Sequence, residues 1–119
     1  MEGDKPKDLK ERTYDYSVKV IKFIETIEVK EAYKTLIDEV VKSSTSIGAN
    51  LLEGTSGKSR KEHLPNYQAA LKSTNQSKYW LGILKDGLGI DKFAINKLLK
   101  EAEELTKLIT TGIAKLEKE

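Results

Sequence analysis

The chain has 119 residues, 38% hydrophobic and 34% charged, with no cysteine and a single histidine. That length suffices for one hydrophobic core, and the composition excludes disulfides, thiolate zinc sites, cysteine nucleophiles and imidazole clusters. Twenty-one basic and 19 acidic side chains leave a net charge of +2, too little to point to any partner. No apolar run approaches the roughly 18 residues of a membrane span, and the charged start MEGDKPKDLKE is no secretory signal. Cytoplasm is the expected location, with no membrane partner.

From Asp8 onward the spacing predicts a helix over 9–27. Asp8 suits an N-cap, and Leu9, Tyr16, Val20, Phe23, Ile24 and Ile27 recur within about a third of the helical wheel. Tyr14, Val18 and Ile21 fall on a second face, which is more apolar width than one packing partner requires. A second helix follows over 30–54, its stripe made of Tyr33, Leu36, Ile37, Val40, Ile47 and Leu51. Inside it lies a run of small residues, Ser43-Ser44-Thr45-Ser46-Ile47-Gly48-Ala49. Ser44 and Gly48 are one turn apart within the apolar half. Glycine inside a helix costs about 1 kcal/mol relative to alanine, a cost that close approach of a neighbouring helix explains.

Gly54-Thr55-Ser56-Gly57-Lys58 reads as a loop, and Ser59 with Glu62 forms a capping-box pattern. A third helix is predicted over 60–86. Pro65 interrupts it, so the helix either opens with a separate turn and restarts near Pro65 or kinks there. Gly87-Leu88-Gly89 ends it. Asp91 then caps a fourth helix over 91–117, in which Ile95, Leu98, Ala102, Leu105, Ile109, Gly112 and Leu116 alternate steps of three and four. Four such helices, each about 30–38 Å long and joined by short turns, imply one all-α domain over 1–119. Its expected form is an antiparallel up-down-up-down four-helix bundle.

The end of the third helix, Lys78-Tyr79-Trp80-Leu81-Gly82-Ile83-Leu84, is apolar over more than one stripe. Tyr79, Trp80, Ile83 and Leu84 are therefore candidates for a subunit interface or the core. Together with the broad first helix they predict a homo-oligomer.

Motifs for chemistry are sparse. Gly57-Lys58-Ser59 resembles part of a phosphate loop, but position 52 is Leu where the motif needs glycine, and a helix precedes it instead of a strand. A di-iron bundle site needs Glu-x-x-His pairs, and the only histidine, His63, has Arg60 three residues before it. His63 is expected on the surface. Asp38, Glu39, Glu53, Glu101, Glu103 and Glu104 read as solvated or helix-pairing charges. Asn75-Gln76-Ser77 matches a glycosylation acceptor, which means nothing without a signal peptide. No metal, no cofactor and no enzymatic activity are expected.

Charge is unevenly spread. Residues 42–85 carry seven basic and two acidic side chains, a net +5, while the rest of the chain carries −3. Lys58, Arg60, Lys61, Lys72 and Lys78 are the candidate phosphate contacts of a nucleic-acid surface, with Gln68, Asn75 and Tyr79 interleaved to meet bases. A solvated lysine-rich face is the plainer reading of the same residues. Oligomerisation would ring several copies of a weak patch on one surface.

Several elements resemble a known family. They are Ser43-Ser44-Thr45-Ser46-Ile47-Gly48-Ala49-Asn50, Leu52-Glu53-Gly54, Ser59 opening a helix, Ala70-Leu71-Lys72 and Tyr79-Trp80-Leu81. In this order they are similar to the bacterial four-helix bundle proteins encoded in 23S rRNA intervening sequences. Accessory variability proteins of diversity-generating retroelements belong to the same family. The resemblance spans Asp8-Leu9 and Arg12 through the final helix. It implies a homopentameric barrel of bundles and, in the retroelement branch, binding of nucleic acid and a reverse transcriptase through basic surfaces. For the intervening-sequence branch it implies no settled activity. Two departures stand out: Glu39 and Lys42 replace the usual Gln-x-x-Arg, and Pro65 interrupts a normally continuous apolar region. The expected function is RNA or DNA binding by a homo-oligomer. The alternative is a structural or adaptor oligomer with a protein partner such as a reverse transcriptase.

Overall fold

Helix signals in the sequence become four α-helices in a computed structural model that describes residues 8–54 and 59–118. Helix α1 spans Leu9–Ile24, with the Asp8 carboxylate accepting from the Glu11 amide at 2.8 Å. It stops three residues short of the expected Ile27. The amide and the hydroxyl of Thr26 both bond the Phe23 carbonyl, at 2.9 and 2.6 Å, which tightens the last turn and ends the α-helical ladder.

Helix α2 spans Lys34–Gly54 and is preceded by a 3₁₀ turn, Glu31–Tyr33. Tyr33 was expected on the apolar stripe, but it lies in that turn, where the 3.6-residue period does not hold, and it is 41% exposed. A second 3₁₀ turn, Lys61–His63, leads into α3, Leu64–Leu88. Ser59 and Glu62 bond each other's backbone amides across this turn, as a capping box requires. Of the two arrangements open for Pro65, the structure adopts the separate turn with a restart. Proline sits in the first turn of α3, where its missing N–H breaks no helical bond. At the other end Gly89 takes a left-handed φ of 66°, and the Ile90 amide reaches back to the Leu84 carbonyl at 3.1 Å. Helix α4 spans Lys92–Glu117, with the Asp91 carboxylate accepting from Ala94. No strand occurs among the described residues.

Each helix packs on its chain neighbours, and α1 closes the ring against α4, leaving α1–α3 and α2–α4 as diagonals. The pairings show that neighbours run antiparallel. Ser17 meets Ser44 and Thr13 meets Gly48; Lys78 meets Glu103 and Lys85 meets Asn96. On the α1–α4 seam Arg12 grips Glu101 through two hydrogen bonds, of 3.1 and 2.8 Å.

The core is apolar along most of its length, with Val20, Val40, Ile47, Leu81, Leu84, Ile95, Leu105 and Ile109 all fully buried. Its middle is polar. Tyr16 reaches across the diagonal to Ser77, oxygen to oxygen at 2.7 Å, and Ser44 meets the same Ser77 hydroxyl at 2.7 Å. All three residues have zero exposure. Nearby, the Ser17 hydroxyl donates to the Ser44 carbonyl at 2.9 Å. Gly48 lies against Thr13 so closely that a Cβ there would stand 3.0 Å from Thr13 Oγ1.

Two expectations follow. Gly48→Val forces a branched side chain into the α1–α2 contact and should destabilise the fold by about 1–3 kcal/mol in urea unfolding. Burial pushes the Tyr16 phenol above its usual pKa of 10.0, against the lowering effect of its serine hydrogen bonds. The folded state therefore holds that proton at a pH where the unfolded state has released it. Stability should fall as pH rises above about 10, and Tyr16→Phe should flatten that alkaline decline.

Candidate nucleic-acid and assembly surfaces

The five candidate basic residues do not form one patch. Lys58 lies outside the described residues. Arg60 and Lys61 are exposed at the turn before α3. Lys72 is exposed on the outer face of α3, twelve residues further and so about 18 Å along the bundle. Lys78 points to the α4 flank, where Nζ stands 3.4 Å from Glu103 Oε2 with only 22% of its side chain exposed. Its charge is matched locally.

Lys72 lines an open cavity of about 610 Å³ with Gln68, Asn75, Gln76, Tyr79 and Trp80. The amides and the aromatic ring interleaved with the lysine thus share one surface. Glu39 of α2 lines the same cavity. An acid stands where the resembled family carries glutamine, and it faces the one exposed lysine of this groove.

Structure divides the four apolar candidates at the end of α3. Leu84 is fully buried and belongs to the core. Trp80 is half-buried against that core, and Tyr79, 62% exposed, meets it edge-on with ring centroids 5.0 Å apart. Ile83 is half-buried on the same flank. Ser44 and Gly48 face inward, as described above, on the side of α2 that meets α1 and the polar centre.

A second apolar surface runs along the outside of α1. Tyr14 is 70% exposed and Ile21 39%, with Val18 half-buried between them. These are the residues the helical wheel places on a second face. Because α1 and α3 are diagonal, the α1 stripe and the Tyr79 surface lie on separate outer faces of the bundle. Phe93 of α4, 73% exposed, escaped sequence reasoning, and Leu108, which the α4 pattern places on the flank of its stripe, is 40% exposed. Lys97 Nζ sits 4.5 Å from the Phe93 ring centroid. The only available signal for Phe93 was that it falls off the regular α4 stripe.

His63, expected on the surface, is half-buried, and its Nε2 is enclosed without a hydrogen-bond partner among the described residues. No group of three or more histidine, aspartate or glutamate residues able to hold a metal occurs among the described residues. No helix there is long and apolar enough to cross a membrane.

These features define an antiparallel four-helix bundle with a hydroxyl-bonded centre and apolar residues left on separate outer faces. The chain belongs to the 23S rRNA-intervening sequence protein family, whose model matches residues 7–111. It is also similar to a crystal structure, at 1.70 Å resolution, of a protein of unknown function from the S23 ribosomal protein family of Bacteroides thetaiotaomicron. The TM-score is 0.80 and the identity 24%, over 89% of this chain and 98% of that one. At that identity the likeness is one of fold. No curated protein matches the chain.

Truncations should separate the core residue from the surface residue that sequence pattern groups together. Leu84→Ala should cost about 2–5 kcal/mol in chemical denaturation, because it empties a fully buried position. Tyr79→Ala should cost no more than about 1.5 kcal/mol, the worth of its edge-on contact with Trp80.

Proposed function

We propose that this chain is a non-enzymatic, cytoplasmic protein that works as a closed homo-oligomer and offers a basic face to RNA or DNA. The observation that carries this reading is the pair of separate apolar outer faces, Tyr14-Val18-Ile21 on α1 and Tyr79-Ile83 on α3. Two different faces favour head-to-tail association, and a head-to-tail interface whose rotation closes makes a ring. The family resemblance implies five copies.

A ring closed about an axis along the helices presents the same end of every protomer on one face. The α3–α4 part of one end carries Arg60, Lys61, Lys115 and Lys118 against Glu62 and Glu117, while the α1 start and α2 end beside it carry Asp8, Glu11 and Glu53 against Lys10. The opposite turns, 25–33 and 89–91, carry Glu25, Glu28, Glu31 and Asp91 against Lys30 alone. Five copies would bring the basic α3–α4 sector of every protomer onto one face, where phosphate backbones are attracted. The rival is an adaptor oligomer with a protein partner such as a reverse transcriptase. It draws support from the near neutrality of the chain and from Glu39 beside Lys72.

Assembly can be tested one face at a time. Ile21→Glu and Tyr79→Glu should each give folded monomers in light scattering, since each removes one half of every interface. Mixed in equal amounts, the two variants retain one intact face each and should form one-to-one dimers and nothing larger. Single variants that stay assembled, or a mixture that stays monomeric, would contradict the head-to-tail arrangement.

Nucleic-acid binding has its own test, by fluorescence anisotropy with labelled RNA between about 50 and 200 mM salt. The log–log slope should be steep, about 0.7 per phosphate contact on a single strand. Arg60→Glu with Lys61→Glu should abolish binding while leaving assembly intact. Lys78→Ala should change binding little, given its bridge to Glu103. A flat salt dependence or a silent double variant favours the protein-partner reading.

A further inference from the structure

A groove at the basic α3–α4 sector of the bundle has a different character from the open surface around Lys72. Helix α1 begins at Leu9, and the Arg12–Glu101 pair places that residue opposite about Glu104 of α4. Along the last turns of α4 the neighbouring element is instead the 3₁₀ turn Lys61–His63 and the start of α3. Tyr67 packs closely against α4 at Gly112, where a Cβ would stand 2.5 Å from its ring. Glycine at 112 is what lets the ring settle there. Between these elements lies a cavity of about 380 Å³, within the size range of small-molecule sites.

Its lining combines three kinds of group. Arg60 and Lys115 supply positive charge, with the Thr111 hydroxyl beside them as a donor. Leu9, Leu108, Leu116 and the Tyr67 ring supply an apolar wall. His63 also lines it, and His63 Nε2 is the enclosed nitrogen that has no partner among the described residues. In contrast to the Lys72 surface, no carboxylate is among the lining residues.

We infer that this groove binds a nucleoside monophosphate, with the phosphate between Arg60 and Lys115 and the nucleoside against Tyr67 and the leucines. Arginine forks onto phosphate oxygens and lysine adds a point charge. The imidazole of His63 lines the same groove. The site is complete within one protomer and does not depend on assembly. The same chemistry occurs on a free nucleotide and on the 5′-phosphorylated end of a nucleic-acid strand.

The test is calorimetric titration of the full chain with AMP, adenosine and inorganic phosphate. AMP should bind, and adenosine and phosphate should each bind at least about tenfold more weakly, because each lacks one half of the contacts. Lys115→Gln, checked for native circular dichroism, should weaken AMP binding by about tenfold. Ile21→Glu should leave it unchanged, which separates this inference from the assembly reading. Competition with AMP by a 5′-phosphorylated oligonucleotide, but not by its 5′-hydroxyl counterpart, would assign the site to strand ends. Absence of that competition with AMP still bound would assign it to the free nucleotide. No AMP binding at about 1 mM, or an affinity untouched by Lys115→Gln, would overturn the inference.

Discussion

Three hydroxyl groups in the centre of the bundle set the terms for everything around them. Tyr16, Ser44 and Ser77 are each fully buried, and each finds its partner among the other two. A buried hydroxyl without a partner costs about 1–3 kcal/mol, so only registers that bring the three together are tolerated. An apolar core of the same shape would accept sliding or rotation of its helices far more readily, because dispersion contacts are not directional. Tyr16 also spans a diagonal, linking α1 to α3, which do not pack on each other directly. One cluster therefore orients three of the four helices. The Gly48–Thr13 contact and the Ser17 bond to the Ser44 carbonyl then hold α1 close along α2.

Once the inward faces are committed, the outward faces follow by helical geometry. Tyr16 and Val20 point into the core, and at 100° per residue Tyr14, Val18 and Ile21 must point away. With Ser77, Leu81 and Leu84 inward on α3, Tyr79 must likewise point outward. Their placement on separate faces of the same bundle links the packing of the core to the proposed assembly. The polar centre and the apolar exterior are two consequences of one register. Both depart from an ordinary oil-drop arrangement.

Periodicity made most of the architecture legible in the sequence. Asp8, Asp91, the Ser59–Glu62 box and the Gly87–Gly89 stop all mark helix ends by local chemistry, and local chemistry survives folding. The first turn was less legible, because Thr26 ends α1 with its own amide and hydroxyl and no glycine or proline advertises it. Tyr33 matched the α2 stripe only on the assumption of 3.6 residues per turn, which the 3₁₀ turn breaks. The surfaces were legible in part. Sequence counts charges but not their partners, so Lys78 and Lys72 look alike in a string of letters. In three dimensions one is bridged to Glu103 and the other is exposed beside Glu39. The enclosed Nε2 of His63 had no sequence signature at all, since it depends on Tyr67 settling against Gly112.

Membership of the 23S rRNA-intervening sequence protein family accounts for the fold, and the distribution of apolar and charged residues supplies the functional reading. In the proposed reading, two separate apolar faces make the chain a building block, and its basic residues act together when several copies align. Native mass spectrometry of the unmodified chain at micromolar concentration tests that claim most directly. The account predicts a single dominant species at five times the 13.4 kDa chain mass. A dominant 13.4 kDa monomer would contradict it.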